Sequence, residues 1–132
     1  MRILLDTHVL LWALGDRRRL GGPTLGAIES EENEVFFSTV SIWEIAIKSA
    51  LGRADFGVQP REIAASALGA GLTELPANIG AACRVAELPL LHRDPFDRLL
   101  IAQSIETSSR LVTRDQQILS YAGTAGFDPL SA

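Results

Sequence analysis

The sequence predicts an α/β fold in which helices cover both faces of a central, mostly parallel sheet of four or five strands. Short unbroken apolar runs at positions 3–5 and 35–37 are typical of strands buried on both faces. Segments with helical periodicity follow these runs, so strands and helices alternate along the chain. At 132 residues, the chain most simply forms one domain, covering positions 1–132.

The first half of the chain contains two predicted strand–helix pairs. The first strand, at positions 3–5, leads into an apolar helix over 7–14 that ends at Gly15. A short helix follows the break at positions 21–23 and runs through Ile28. The second strand covers 35–38, and a helix over 41–48 follows it. Both strands are therefore expected to deliver the chain to a helix at the same end of the sheet.

The second half is less regular. We expect a loop over 53–59, then a helix whose apolar face is formed by Ile63, Ala64, Ala67 and Leu68. A weak third strand follows at 72–75. Helical spacing next predicts a buried face that includes a cysteine and is formed by Ile79, Ala82, Cys83 and Ala86. Asp94 and Pro95 begin a strong helix, the fourth strand lies at 111–113, and positions 115–119 form a short helix. A fifth strand in the remaining tail is left open.

Composition limits the classes of function. The formal charge of −4 gives no overall positive field that would attract nucleic acid, so a polyanionic partner must be held locally. The single cysteine excludes an internal disulfide and suits a reducing compartment. We find neither a signal peptide nor an apolar stretch of about 18 residues that could cross a membrane. The expected location is therefore the cytoplasm.

Acidic residues recur where predicted strands end and helices begin. Asp6 and Asp115 directly follow strands, and Glu44 and Asp97 lie early in helices. Strand-to-helix junctions of a parallel sheet share one end, so these carboxylates should gather there. Two charges about 4 Å apart repel by about 4 kcal/mol at a moderate effective dielectric. A hard divalent cation would relieve this repulsion, and an all-oxygen donor set favours Mg²⁺ or Mn²⁺ over Zn²⁺.

Each of these acids also has a purely structural interpretation as a helix cap. Asp6 and Asp115 are good N-caps, and the residues from Ser41 to Glu44 read as a capping box. Taken singly, Glu44 and Asp115 are more often caps than ligands. Taken together, acidic caps at one end of a sheet are unfavourable, since Ser, Thr or Asn would cap without mutual repulsion.

Four motifs carry a resemblance to a known family. They are LLDTH at 4–8, SIWEIAIK at 41–48, HRDPFDRLLIAQ at 92–103 and LVTRD at 111–115. In this order they resemble the PIN-domain ribonucleases, specifically VapC-type toxins of toxin–antitoxin systems. The resemblance implies a PIN-like α/β/α sandwich, Mg²⁺- or Mn²⁺-dependent cleavage of RNA, a homodimer and inhibition by a VapB-type antitoxin. It implies that the catalytic and metal-binding set is Asp6, Glu44, Asp97 and Asp115, with the hydroxyl of Thr113 beside the last acid.

The residues themselves also point to this chemistry. A phosphodiester among carboxylates needs its charge neutralised, and a bound metal ion does this while lowering the pKa of a water molecule. We assign Asp6 and Asp97 as primary ligands, and Asp115 and Glu44 as further ligands or water-orienting bases. The basic residues that could guide an RNA backbone are Arg17, Arg18, Arg19, Lys48, Arg93, Arg98 and Arg114.

Two other functions fit some of the same residues. A magnesium-dependent phosphotransferase also uses an Asp after its first strand, but it needs a second Asp where this chain has His8. A catalytically silent PIN-like module would keep the acids and act only by binding a protein partner. His8 and His92 could each donate to a phosphate, although a hydrogen-bonded structural histidine is the simpler interpretation.

Overall fold

The computed structural model describes residues 1–53 and 56–132. The strands are β1 (Arg2–Leu5), β2 (Glu34–Ser38), β3 (Thr73–Leu75), β4 (Arg110–Thr113) and β5 (Leu130–Ser131). The helices are α1 (Thr7–Gly15), α2 (Gly22–Glu29), α3 (Thr39–Ala50), α4 (Pro60–Gly69), α5 (Ile79–Arg84), α6 (Pro95–Thr107) and α7 (Gln116–Leu119). Single 3₁₀ turns lie at Arg17–Arg19, Val85–Glu87 and Thr124–Gly126. Within the described residues, no helix combines the length and apolar character that spanning a bilayer requires.

All five strands form one parallel sheet in the order β3-β2-β1-β4-β5. The central strand β1 pairs on both sides, with Leu5 opposite Phe37 of β2 and Val112 of β4. The fifth strand, which the sequence left open, pairs Leu130 with Val112. The predicted α/β class with a central parallel sheet is confirmed, and the sheet has five strands within residues 1–53 and 56–132.

Two apolar layers lie on opposite faces of the sheet. Successive side chains of a strand point to opposite faces, so Leu4 packs in one layer while Ile3 and Leu5 pack in the other. Helices α3, α5, α6 and α7 contribute to the layer of Leu4, and α1, α2 and α4 contribute to the other. This two-sided cover explains why the strands are continuous apolar runs.

The prediction for α5 was wrong in its phase. Ala81 is the buried residue of this helix, whereas Ile79 is 82% exposed and Cys83 is also exposed. The helix has only six residues and continues into a 3₁₀ turn, so the 3.6-residue spacing does not hold through Ala86. Leu68, assigned to the apolar face of α4, is likewise 58% exposed. The predicted loop over 53–59 includes positions 54–55, which lie outside the described residues.

Candidate active site

A cleft of about 520 Å³ opens at the carboxyl end of the sheet, where β1 and β4 deliver the chain to α1 and α7. All four acids predicted from the sequence line it. The lining residues are Asp6, Thr7, His8, Trp12, Glu44, Lys48, His92, Asp94, Asp97, Arg114, Asp115, Gln117 and Ile118. Eleven of these thirteen side chains are polar or charged, so the cleft suits a charged ligand better than an apolar one.

Asp6 is fixed by the elements that meet around it. It is the N-cap of α1, and its Oδ1 accepts a hydrogen bond from the Val9 amide at 2.8 Å. Its Oδ2 accepts a hydrogen bond from the Thr113 hydroxyl at the end of β4. Burial raises the pKa of Asp6 from 3.8 to about 6, although the bonds from Thr113 and Val9 oppose this rise. Its charged form is thus costly without a nearby cation.

Glu44 lies in the second turn of α3 and is only 3% exposed. Its Oε1 accepts a hydrogen bond from the Thr7 hydroxyl at 2.6 Å, and its other oxygen pairs with Lys48 one turn later. The predicted capping box is wrong, because Ser38 is the N-cap of α3 and its hydroxyl accepts from the Val40 amide at 2.9 Å. Glu44 therefore lines the cleft and does not cap α3.

Asp97 lies in the first turn of α6, and Asp94 is the N-cap of this helix as predicted. Asp97 Oδ2 is 2.7 Å from Nε2 of His92. Burial raises the pKa of Asp97 to about 7. The hydrogen bond from His92 opposes the rise, and the charges of Asp94 and Glu44 add to it. The pKa of this carboxyl consequently lies close to neutral pH when no cation is bound, above that of Asp6.

Asp115 is exposed at the rim of the cleft. It is the N-cap of α7, and its Oδ1 accepts a hydrogen bond from the Gln117 amide at 2.8 Å. Donor atoms of His92, Asp97 and Asp115 all lie within 4.8 Å of one another. This compact set of donors fits a divalent cation, which would stabilise the charged form of Asp97, whereas Asp6 and Glu44 line the same cleft but do not belong to the set.

The basic residues proposed to guide RNA differ in which contacts they make within the protein. Lys48, Arg98 and Arg114 are engaged within the protein: Lys48 pairs with Glu44, Arg98 donates to several backbone carbonyls, and Arg114 donates to two. Arg93 is exposed beside the cleft-lining His92. The remaining three form exposed ion pairs with Glu29 and Asp16; they are Arg17, Arg18 and Arg19. Arg98 thus has a structural role that its sequence position did not indicate.

Two residues that support the site were missed in the sequence. The Tyr121 hydroxyl accepts hydrogen bonds from the amides of Leu91 and His92, at 3.1 and 3.0 Å, and from Arg98 at 2.9 Å. Tyr121 lies 29 residues from His92, and no local pattern marks such a contact. Thr7 was also missed, although its position directly after Asp6 at the start of α1 could have indicated a polar contact in the cleft.

Comparison with known proteins places these features in a family. The family model described as "PIN domain" matches residues 3–123. Ribonuclease VapC22 of Mycobacterium tuberculosis is 30% identical over 123 residues, which cover 90% of this chain and 91% of that protein.

Solved structures share the architecture at lower identity. VapBC2 from Rickettsia felis, bound to a DNA fragment from its promoter, aligns with a TM-score of 0.70 at 14% identity, covering 100% of this chain and 99% of that one. FitAcB from Neisseria gonorrhoeae aligns with a TM-score of 0.65 at 20% identity, covering 97% and 96%. At these identities the likeness establishes the fold alone.

Proposed function

This chain belongs to the PIN domain family, and from that membership we propose that it is the ribonuclease toxin of a VapBC-type toxin–antitoxin pair. We propose that it cuts RNA internally, at phosphodiester bonds, and that Asp6, Glu44, Asp97 and Asp115 form the catalytic and metal-binding set. The observation that carries this proposal is the convergence of these four acids in one polar cleft at the carboxyl end of the sheet.

We propose Mg²⁺ or Mn²⁺ as the cofactor, because carboxylate oxygens are the donors these ions accept most readily. When bound, the ion supplies positive charge that neutralises the phosphate and lowers the pKa of a water molecule. Asp6 and Asp97 are the residues that would hold it, since both are buried carboxyls whose pKa is raised in its absence. Thr113 and the Val9 amide keep the Asp6 carboxylate in one orientation, and His92 does the same for Asp97.

The other two acids have different surroundings, which suggests different roles. Asp115 is exposed at the rim, where its carboxylate can accept a proton from the attacking water. Glu44 is buried between Thr7 and Lys48, so its charge holds the Lys48 ammonium at the wall of the cleft. Lys48 is thereby placed to contact a phosphate of the RNA chain.

The expected partners follow from the family. We propose a VapB-type antitoxin as the inhibitor, RNA as the substrate and a homodimer as the assembly. Solved relatives of this fold include VapBC complexes, which supports the antitoxin. The helices that carry Trp12 and Trp43 are the proposed docking surface, and Trp43 is 56% exposed. We further propose that positions 1–132 act as one domain in the cytoplasm.

The proposal is tested with untagged, antitoxin-free protein and labelled RNA. Cleavage should require added Mg²⁺ or Mn²⁺ and stop with EDTA. Asp6→Asn should lower the cleavage rate by at least about a hundredfold, because loss of a ligand should cost no less than loss of a group that merely supports one. Asp128→Asn is the matched control, since Asp128 is an exposed acid paired with Arg110 outside the cleft.

The outcomes separate the candidate functions. Metal-dependent cleavage that D6N abolishes and D128N retains supports the nuclease. Folded wild-type protein that cuts no RNA with either ion would contradict it and favour the catalytically silent binding module. Circular dichroism of D6N must match that of the wild type for its loss of activity to count.

A further inference from the structure

One member of the compact donor set, His92, offers a nitrogen atom, although the four proposed ligands are all carboxylates. One ring nitrogen of His92 lies within 4.8 Å of donor oxygens from Asp97 and Asp115, and Nε2 is the ring nitrogen that lies 2.7 Å from Asp97. Opposite ligands of one ion are roughly 4.2 Å apart when each metal–ligand bond is about 2.1 Å. Small side-chain adjustments would therefore bring all three donors onto a single ion.

The His92 ring is held in place without any ion. Its side chain is only 10% exposed, and Nε2 is 2.7 Å from Asp97 Oδ2. Its backbone amide donates to the Tyr121 hydroxyl at 3.0 Å, and its carbonyl accepts from the Arg98 guanidinium at 3.4 Å. A ligand that is already oriented loses little conformational entropy when it binds a cation.

We propose that His92 is a metal ligand through Nε2, which makes the site a mixed nitrogen–oxygen site that favours Mn²⁺ over Mg²⁺. This inference rests on the proposed metal-dependent function and extends it beyond the acidic set. Mg²⁺ strongly prefers oxygen donors, whereas Mn²⁺ and later divalent ions bind imidazole more readily. The cation would replace the hydrogen that Nε2 and Asp97 now share, and the neutral ring would carry its proton on Nδ1.

The competing interpretation gives His92 a purely positioning role. In that case the ring stays hydrogen-bonded to Asp97 and never contacts the ion, as supporting residues commonly do at metal sites. Both interpretations predict weaker metal binding when the ring is removed, so affinity alone does not separate them. A direct test of a nitrogen–metal bond does.

Pulsed electron paramagnetic resonance of bound Mn²⁺ provides that test. The chain has two histidines, so a ¹⁴N coupling typical of coordinated imidazole comes from His92 or from His8. Untagged wild-type protein with one equivalent of Mn²⁺ should show this coupling, and His92→Gln should lose it. His8→Gln is the matched control, because His8 lines the same cleft but does not belong to the compact donor set, and it should retain the coupling.

Calorimetric titration with Mn²⁺ and with Mg²⁺ measures the preference. His92→Gln should weaken Mn²⁺ binding about tenfold or more and weaken Mg²⁺ binding clearly less. Bound Mn²⁺ without ¹⁴N coupling in the wild type, or equal losses for both ions, would overturn the inference while leaving the nuclease proposal intact. Failure of the wild type to bind either ion would overturn both proposals.

Discussion

The two sides of the cleft are held in different ways. On the strand side, Asp6 follows β1 directly, and its partner Thr113 ends the neighbouring strand β4. On the loop side, His92 lies between α5 and α6 and contacts Asp97 in the first turn of α6. The strand side is therefore ordered by the sheet, whereas the loop side depends on distant side chains.

Arg98 and Tyr121 are those distant side chains. The Arg98 guanidinium donates to the carbonyls of Val85 and Pro89, at 2.9 and 3.0 Å, and Tyr121 accepts the amide of His92. A carboxylate at the end of a central strand needs only its neighbours in the sheet. A group on a connecting loop depends on hydrogen bonds from side chains distant in sequence. Its position should become disordered first when those side chains are removed.

The largest expected effect is that of Arg98→Met. This change keeps much of the apolar stem but removes the donors to the loop, and hydrogen bonds from a charged group contribute about 1.5–3 kcal/mol each. We expect a loss of about 4 kcal/mol in the free energy of unfolding, measured with urea. Hydrogen exchange should speed up at positions 85–92 and stay slow at 3–9.

A matched control for this variant is Arg110→Met, because the Arg110 guanidinium also donates to backbone carbonyls, those of Asp128 and Pro129, outside the cleft and away from positions 85–92. It should leave exchange at 85–92 unchanged. Equal loss of protection on both sides of the cleft in Arg98→Met would show that the two sides unfold as one unit. It would contradict the claim that the loop side alone depends on Arg98.

The second effect is on the pH dependence of stability without metal. The pKa values of Asp6 and Asp97 are raised to about 6 and about 7, so the folded protein keeps these protons at pH values where the unfolded chain has lost them. Their favourable contribution is complete below about pH 4 and is lost as the pH rises through 6 and 7. For Asp6 alone the loss is about 3 kcal/mol.

Urea unfolding in EDTA at pH 5, 6, 7 and 8 measures this loss. Asp6→Asn should flatten the part of the curve below about pH 6, and Asp97→Asn the part below about pH 7, because each raised pKa marks the pH above which its slope ends. Added Mn²⁺ should stabilise the wild type more at pH 8 than at pH 5. A stability that is constant from pH 5 to 8 would contradict the burial of these charges.

The smallest effect is expected for Thr113→Val on the strand side. Valine keeps the shape but removes the donor to Asp6 and the acceptor for the Asp115 amide. We expect a loss of about 1–2 kcal/mol and a further rise in the pKa of Asp6, which the Thr113 hydroxyl now lowers. Carbon NMR of the Asp6 carboxyl measures this pKa, and Thr73→Val on exposed β3 should leave it unchanged.

The strand side could be predicted from the sequence because its order is local. An apolar run that ends in an acid identifies both β1 and the cap of α1, and Asp94 and Asp115 are caps for the same local reason. Glu44 does not follow this local rule. Its spacing from Ser41 fits a capping box, but Ser38 starts the helix three residues earlier.

The loop side could not be predicted because its contacts join distant parts of the chain. The hydroxyl of Tyr121 reaches a loop 29 residues away, which no periodicity encodes. The same holds for α5, where packing against α6 and not helical spacing decides that Ala81 is buried and Cys83 is exposed. Local rules thus describe where an element begins, and tertiary packing decides which residues it turns inward.

The outer strands of the sheet limit how a partner can bind. β3 has three residues and is followed by Pro76, and β5 has two and is preceded by Pro129. Proline has no amide hydrogen, so neither margin offers a run of unpaired backbone groups long enough to template an added strand. We therefore expect an inhibitor to contact side chains on the helices of this protein, where single substitutions can change which inhibitor binds.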